Sequence, residues 1–118
     1  MCDFIKNRIH SFSYAINGLC YVLKNETNLK IHLIATLVVV AVGFYFQINT
    51  NEWCLIALTI GLVISLEIVN SAIEKLVDLV SPEKHPKAGL IKDLAAASVL
   101  FAAIIAICIA CFIFLPKL

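Results

Sequence analysis

The sequence predicts an all-α membrane protein, with an N-terminal amphipathic surface helix and three transmembrane helices in a single domain over residues 1–118. Three observations predict it. Of the 118 residues, 62% are hydrophobic and only 14% charged, with a mean hydropathy of +0.99. Soluble domains average about 25% charged residues, and a chain this short has too little interior to hide so much apolar surface. Second, the apolar residues collect into three runs long enough to cross a bilayer. Third, the segment ahead of those runs has apolar residues at helical spacing, broken by charges.

The surface helix covers residues 3–25. Phe4, Ile5, Ile9, Phe12, Ala15, Ile16, Leu19, Val22 and Leu23 recur at helical spacing, interrupted by Lys6, Arg8, Asn17 and Lys24. That pattern suits a helix lying in the membrane interface. The stretch before it has no long apolar run and no cleavage site, so no signal peptide is expected. The first span covers about 31–48 (IHLIATLVVVAVGFYFQI), and Asn49, Thr50 and Asn51 make a polar turn. The second runs from Trp53 to about Val80, longer than a bilayer needs, so its last turns should emerge into the interface. Ser81 to Gly89 (SPEKHPKAG) is a loop, marked by two prolines and a glycine. The third span occupies about 92–115, with 94–115 uncharged and Pro116 ending it.

Basic residues set the orientation. Lys6, Arg8, Lys24 and Lys30 precede the first span, and Lys84, Lys87 and Lys92 lie between the second and third. The 49–52 turn has none and the tail only Lys117. The N-terminus and the 81–92 segment therefore face the cytoplasm. The net charge of +1 provides no field for nucleic acid. The five cysteines mostly lie in apolar runs, where a thiol acts as a small hydrophobe. Cys108 and Cys111 have C-x-x-C spacing, but Ile, Ala and Phe surround them, which argues against redox or metal work.

The chemistry is concentrated in the second span. Fourteen uncharged residues, Trp53 to Leu66, run without a break into Glu67, Asn70, Glu74 and Asp78. At helical spacing these four fall within an arc of about 80°. Acidic groups at membrane depth are costly and mark function by default. A carboxylate there needs a proton, a basic partner or a metal ion. Lys75 is on the same helix but off the stripe. Glu26, just before the first span, and Lys92–Asp93, at the start of the third, stand at the same interface as the end of the stripe. Carboxylates with few nitrogen or sulfur competitors suit Mg²⁺, which completes its shell with water and substrate phosphates. His10, His32 and His85 have no metal-ligand spacing and read as solvated. Neither a Walker A motif nor G-x-G-x-x-G is present. The residues alone leave a metal site or a proton site at the inner membrane interface. The bland alternative is a set of interhelical hydrogen bonds holding an oligomer together.

The segment LEIVNSAIEKLVD (Leu66 to Asp78) resembles the signature E-x-x-N-[ST]-A-I-E-x-x-V-D of the prokaryotic diacylglycerol kinase family. SFSYAINGL (Ser11 to Leu19), Asn25–Glu26 with Asn28 to His32, His85–Pro86, and Lys92–Asp93 with Ala95 to Leu100 resemble further family segments in order. The resemblance implies a small integral membrane lipid kinase in the bacterial inner membrane, a homotrimer with shared sites at the cytoplasmic face. It implies transfer of the ATP γ-phosphate to a membrane lipid alcohol with Mg²⁺ as cofactor. Glu67 then takes the position of the general base, and Glu26 and Glu74 those of the metal ligands. Tyr14, Glu26, Glu74, Glu83, Lys84, His85, Lys92 and Asp93 match nucleotide contacts. Asn70 matches an ordering residue, and Ser98 a position near the lipid headgroup. The family's N-terminal arginine has no clean counterpart, since Asn7 is in register and Arg8 is one residue off. The leading reading is diacylglycerol converted to phosphatidic acid. The alternative is undecaprenol converted to undecaprenyl phosphate, which the Lys30-Ile31-His32 and His85-Pro86 segments resemble more. A reading from another class is a proton-coupled transporter with Glu67 as carrier, and a third is a purely structural subunit.

Overall fold

The computed structural model describes residues 1–118 and contains four helices and no strand. They are α1 (Cys2–Asn25), α2 (Thr27–Tyr45), α3 (Thr50–Val80) and α4 (Pro86–Phe114), followed by a 3₁₀ turn at Leu115–Lys117. The last three are long and apolar enough to cross a membrane. The four-helix order agrees with the sequence reading, but the boundaries differ. α2 starts at Thr27 rather than near Ile31, because only Glu26, extended at φ −103° and ψ 111°, separates it from α1. α4 starts at Pro86 rather than near Lys92. His85 caps it by accepting the Lys87 N–H at Nδ1, and Pro86 brings a φ already suited to a first turn. The loop thus shrinks to Ser81–His85, and Lys87 and Lys92 lie on the helix.

α3 and α4 form the closest helix pair, with α2 packed on α3. α1 is exposed from end to end except at Val22. The molecule measures 49 × 48 × 22 Å. α3 alone has a length of about 46 Å at 1.5 Å per residue, so the second long dimension requires α1 to project sideways from the bundle. This is the arrangement expected of an interfacial helix. Arg8 folds back over the Phe4 ring, 4.9 Å from its centroid.

The end of the bundle away from the Ser81–His85 loop is the better packed. Ile48, Ile56 and Ile113 form its core, flanked by Val39, Trp53 and Phe114. At the end of α2 the Ile48 N–H bonds to the Gly43 carbonyl and the Gln47 N–H to the Phe44 carbonyl. This is a Schellman cap, with Gln47 as its left-handed residue at φ 52°. Two residues on, Asn49 and Glu52 form a reciprocal capping box that starts α3. Lys117 reaches Glu52 at 3.0 Å and ties the C-terminus to this turn.

Candidate active site

The polar stripe of α3 faces inward at its deep end and outward at its loop end. Glu67, Asn70 and Ser71 are buried, Glu74 is half-buried and Asp78 exposed. The 3.6-residue period that aligns the stripe presents its first half to α2 and α4. Glu67 is only 4% exposed. Its one charged neighbour is His32 of α2, with Nε2 3.6 Å from Glu67 Oε2. His32 is therefore not a solvated histidine, as its sequence context suggested, but the partner of the deepest acid. Asn70 is buried with an Oδ1 that has no hydrogen-bond partner. Such an atom costs about 1–3 kcal/mol unless something donates to it.

Glu26 occupies the extended corner between α1 and α2, where its carboxylate reaches Lys75 Nζ at 3.5 Å. Lys75 also lies over the Tyr21 ring, 5.3 Å from its centroid. This corrects the expectation that Lys75 points away from the site. It sits about 60° off the stripe, but its long side chain reaches the corner and brings Glu26 up to the level of Glu74. Glu74 itself has no ion-pair partner. No three His, Cys, Asp or Glu side chains converge in the chain. The ligands on offer, Glu26 and Glu74, present only oxygen. That fits Mg²⁺, which is usually held by one or two carboxylates while water and phosphate oxygens supply the rest.

Beyond the end of α3 lies a polar concavity of about 440 Å³. Glu83, Lys84, His85 and Lys92 line it together with Asp78 and Gly89. Lys92 Nζ donates a short hydrogen bond to Asp78 Oδ1. The two side chains are 38% and 67% exposed, so the pair contributes only about 0–1 kcal/mol and yields readily to another anion. Four of the eight sequence-predicted nucleotide contacts are thus brought together. Tyr14 and Asp93 are exposed and do not line the concavity. Ser98 is also exposed and donates to the Ala95 carbonyl of its own helix. Deeper in the bundle, α2, α3 and α4 enclose an apolar cavity of about 300 Å³, with His32, Thr36 and Thr59 as its polar lining. All five cysteines are free.

Sequence reasoning missed His32 and Lys75 as site residues. Each meets its partner across a helix junction, which a one-helix periodicity does not reveal. The usable signal was stoichiometric, since a buried carboxylate needs a basic partner.

Comparison with known proteins bears on this geometry. Residues 13–114 match the family model described as prokaryotic diacylglycerol kinase. The chain is 41% identical over 108 residues to an undecaprenol kinase of Bacillus subtilis, covering 92% of this chain and 88% of that one. It is 33% identical to a diacylglycerol kinase of Haemophilus influenzae, covering 80% of each chain. It is 32% identical to a diacylglycerol kinase of Escherichia coli K12, covering 84% of this chain and 81% of that one. The acid stripe, the polar concavity beside it and these similarities converge on one identification: the chain belongs to the prokaryotic diacylglycerol kinase family and is a membrane lipid kinase.

Proposed function

We propose that this protein transfers the γ-phosphate of ATP, with Mg²⁺, to the hydroxyl of a membrane lipid alcohol at the cytoplasmic face of the bacterial inner membrane. One observation supports this above the others. A buried carboxylate, Glu67, and an exposed basic concavity lie on the same helix, about 16 Å apart at the rise of an α-helix. A lipid hydroxyl confined to the bilayer and a nucleotide confined to water can then approach one another along α3. A proton carrier would need Glu67 but has no use for Lys84, His85 and Lys92 gathered at the helix end.

Phosphoryl transfer is mainly positioning and charge neutralisation. In this reading Lys84, His85 and Lys92 hold the nucleotide, Lys92 exchanging Asp78 for a phosphate oxygen. Glu26 and Glu74 hold the metal ion, whose positive charge offsets that of the phosphates when bound. Glu67 takes the hydroxyl proton as the lipid oxygen meets phosphorus. The unpaired Asn70 Oδ1 accepts a hydrogen bond from the incoming group and orders it. A homotrimer completes the site. Only 15 of 118 residues are buried in the single chain, and polar stripes of this kind are normally covered by neighbouring helices.

For the acceptor, the 41% identity to an undecaprenol kinase, against 32–33% to diacylglycerol kinases, favours the polyprenol. The position of His32 against Glu67 points the same way, since His32 belongs to the segment that resembles that branch. Diacylglycerol is the second reading, carried by the shared α3 signature. Purified protein in mixed micelles, given labelled ATP, Mg²⁺ and both alcohols, separates them. We expect label chiefly in undecaprenyl phosphate. Label chiefly in phosphatidic acid would reverse the preference, and label in neither would remove the kinase reading.

A further inference from the structure

We infer that His32 acts through Glu67, orienting its carboxylate and carrying away the proton it takes from the lipid hydroxyl. This rests on the lipid-kinase reading with Glu67 as base. Each turnover forms a bond from the lipid oxygen to the γ-phosphorus and breaks the bond from that phosphorus to the β,γ-bridging oxygen. ADP leaves with the electron pair, and one proton is left over. In low dielectric the neutral form of a carboxyl is the favoured one. A base buried as deeply as Glu67, at 4% exposure, therefore holds that proton unless a neighbour accepts it.

The geometry offers one acceptor. His32 Nε2 lies 3.6 Å from Glu67 Oε2, and the imidazole is 23% exposed while the carboxylate side chain is 5% exposed. Imidazole is the side chain that gains and loses a proton near neutral pH. The proton passes from Glu67 to the neutral ring, and the imidazolium releases one to water. The other polar neighbours are unsuited to this. Asn70 is an amide and does not titrate. Lys75 is held at Glu26 and Tyr21 at the α1–α2 corner. Lys92 is held by Asp78, about 16 Å along α3. Lys30, on α2 with His32, is exposed, as is Asp93 on α4, which is uncharged from Leu94 to Leu115. Glu74 is two turns away on the same stripe, another acid rather than a base. His32 also lines the apolar cavity between α2, α3 and α4, so it stands between the buried base and the space a lipid chain can enter.

The experiment is steady-state kinetics of His32→Ala and His32→Gln in the full-length protein, with and without added imidazoles of graded basicity. Gln retains a hydrogen-bond donor near the Nε2 position but does not carry protons. We expect both variants to lose about 10- to 100-fold in kcat, with KM for ATP and lipid changed by less than about twofold. Imidazole should restore the Ala variant, more strongly for the more basic imidazoles, and leave the Gln variant unchanged. A Gln variant with wild-type kcat would overturn the relay, as would a loss confined to KM or a folded Ala variant without rescue. If the Ala variant does not fold, the Gln variant decides alone. Wild-type protein that transfers no phosphate in the same assay would remove the kinase reading itself, a result distinct from all of these.

Discussion

The two ends of the bundle handle their polar groups in opposite ways. At the 46–52 turn nearly every polar group has a local partner. The Schellman bonds close α2, the Asn49–Glu52 box opens α3, Lys117 answers Glu52, and an isoleucine core lies beneath. At the Ser81–His85 end the polar groups are more numerous and less satisfied. Asn70 Oδ1 has no partner, Glu74 has no cation, and Lys92 is held only by an exposed aspartate. Hydrogen bonds closed within the chain fix a structure. Polar atoms left open at membrane depth are costly to the fold, and here they cluster where ligands are to be bound. The first end holds the helices in register and the second uses that register.

That contrast breaks most sharply at Glu67. Glu67→Gln keeps the shape and removes the base, so we expect phosphate transfer to fall by about 10²–10⁴-fold while helical content and melting temperature stay near wild type. Retained turnover would end its assignment as base. Glu74→Gln is the next largest. We expect the Mg²⁺ concentration for half-maximal activity to rise on the order of tenfold, with transfer recovering at high Mg²⁺. An unchanged metal titration would argue that Glu74 does not hold the ion. Neither change should alter the far end.

The legible part of this molecule was what a single helix carries. The acid stripe was readable because Glu67, Asn70, Glu74 and Asp78 repeat at the helical period, and the three spans because each is a long uncharged run. The first turns of α2 and α4 were not readable, since Thr27–Lys30 and Pro86–Lys92 are polar and look like loop until a cap is recognised. Pairings between helices were equally hidden. His32 is 35 positions from Glu67 and Lys75 is 49 from Glu26, and only the packing of α2 on α3 brings them together.

The far end offers the smaller effects. A Cβ on Gly43 would stand 2.7 Å from Trp53 Cη2 and 3.1 Å from Cζ2. The indole cannot fold away like a flexible chain, and Phe44 packs on it with ring centroids 4.9 Å apart. Gly43→Ala should therefore cost about 1–3 kcal/mol, read as a lower unfolding midpoint in detergent, with kcat per folded molecule unchanged. A loss of kcat at full stability would mean that this end also shapes the site.

Gln47 gives the smallest effect, and its sign is opposite. It is the only non-glycine residue at positive φ, 52°, and it occupies the cap position where glycine is usual. A side chain there carries a left-handed penalty of roughly 1 kcal/mol. Glycine removes that strain but loses more chain entropy on folding. The Gln47 side chain is exposed and forms no hydrogen bond that the substitution would sacrifice. The Schellman bonds use backbone N–H groups that glycine keeps. Relief of strain should outweigh entropy, so Gln47→Gly should raise stability by about 0.5 kcal/mol, leaving kcat and the Mg²⁺ requirement where they were. A fall in stability would show that the side chain contacts lipid or a neighbouring subunit at this turn. Wild-type stability would mean that strain and entropy cancel there.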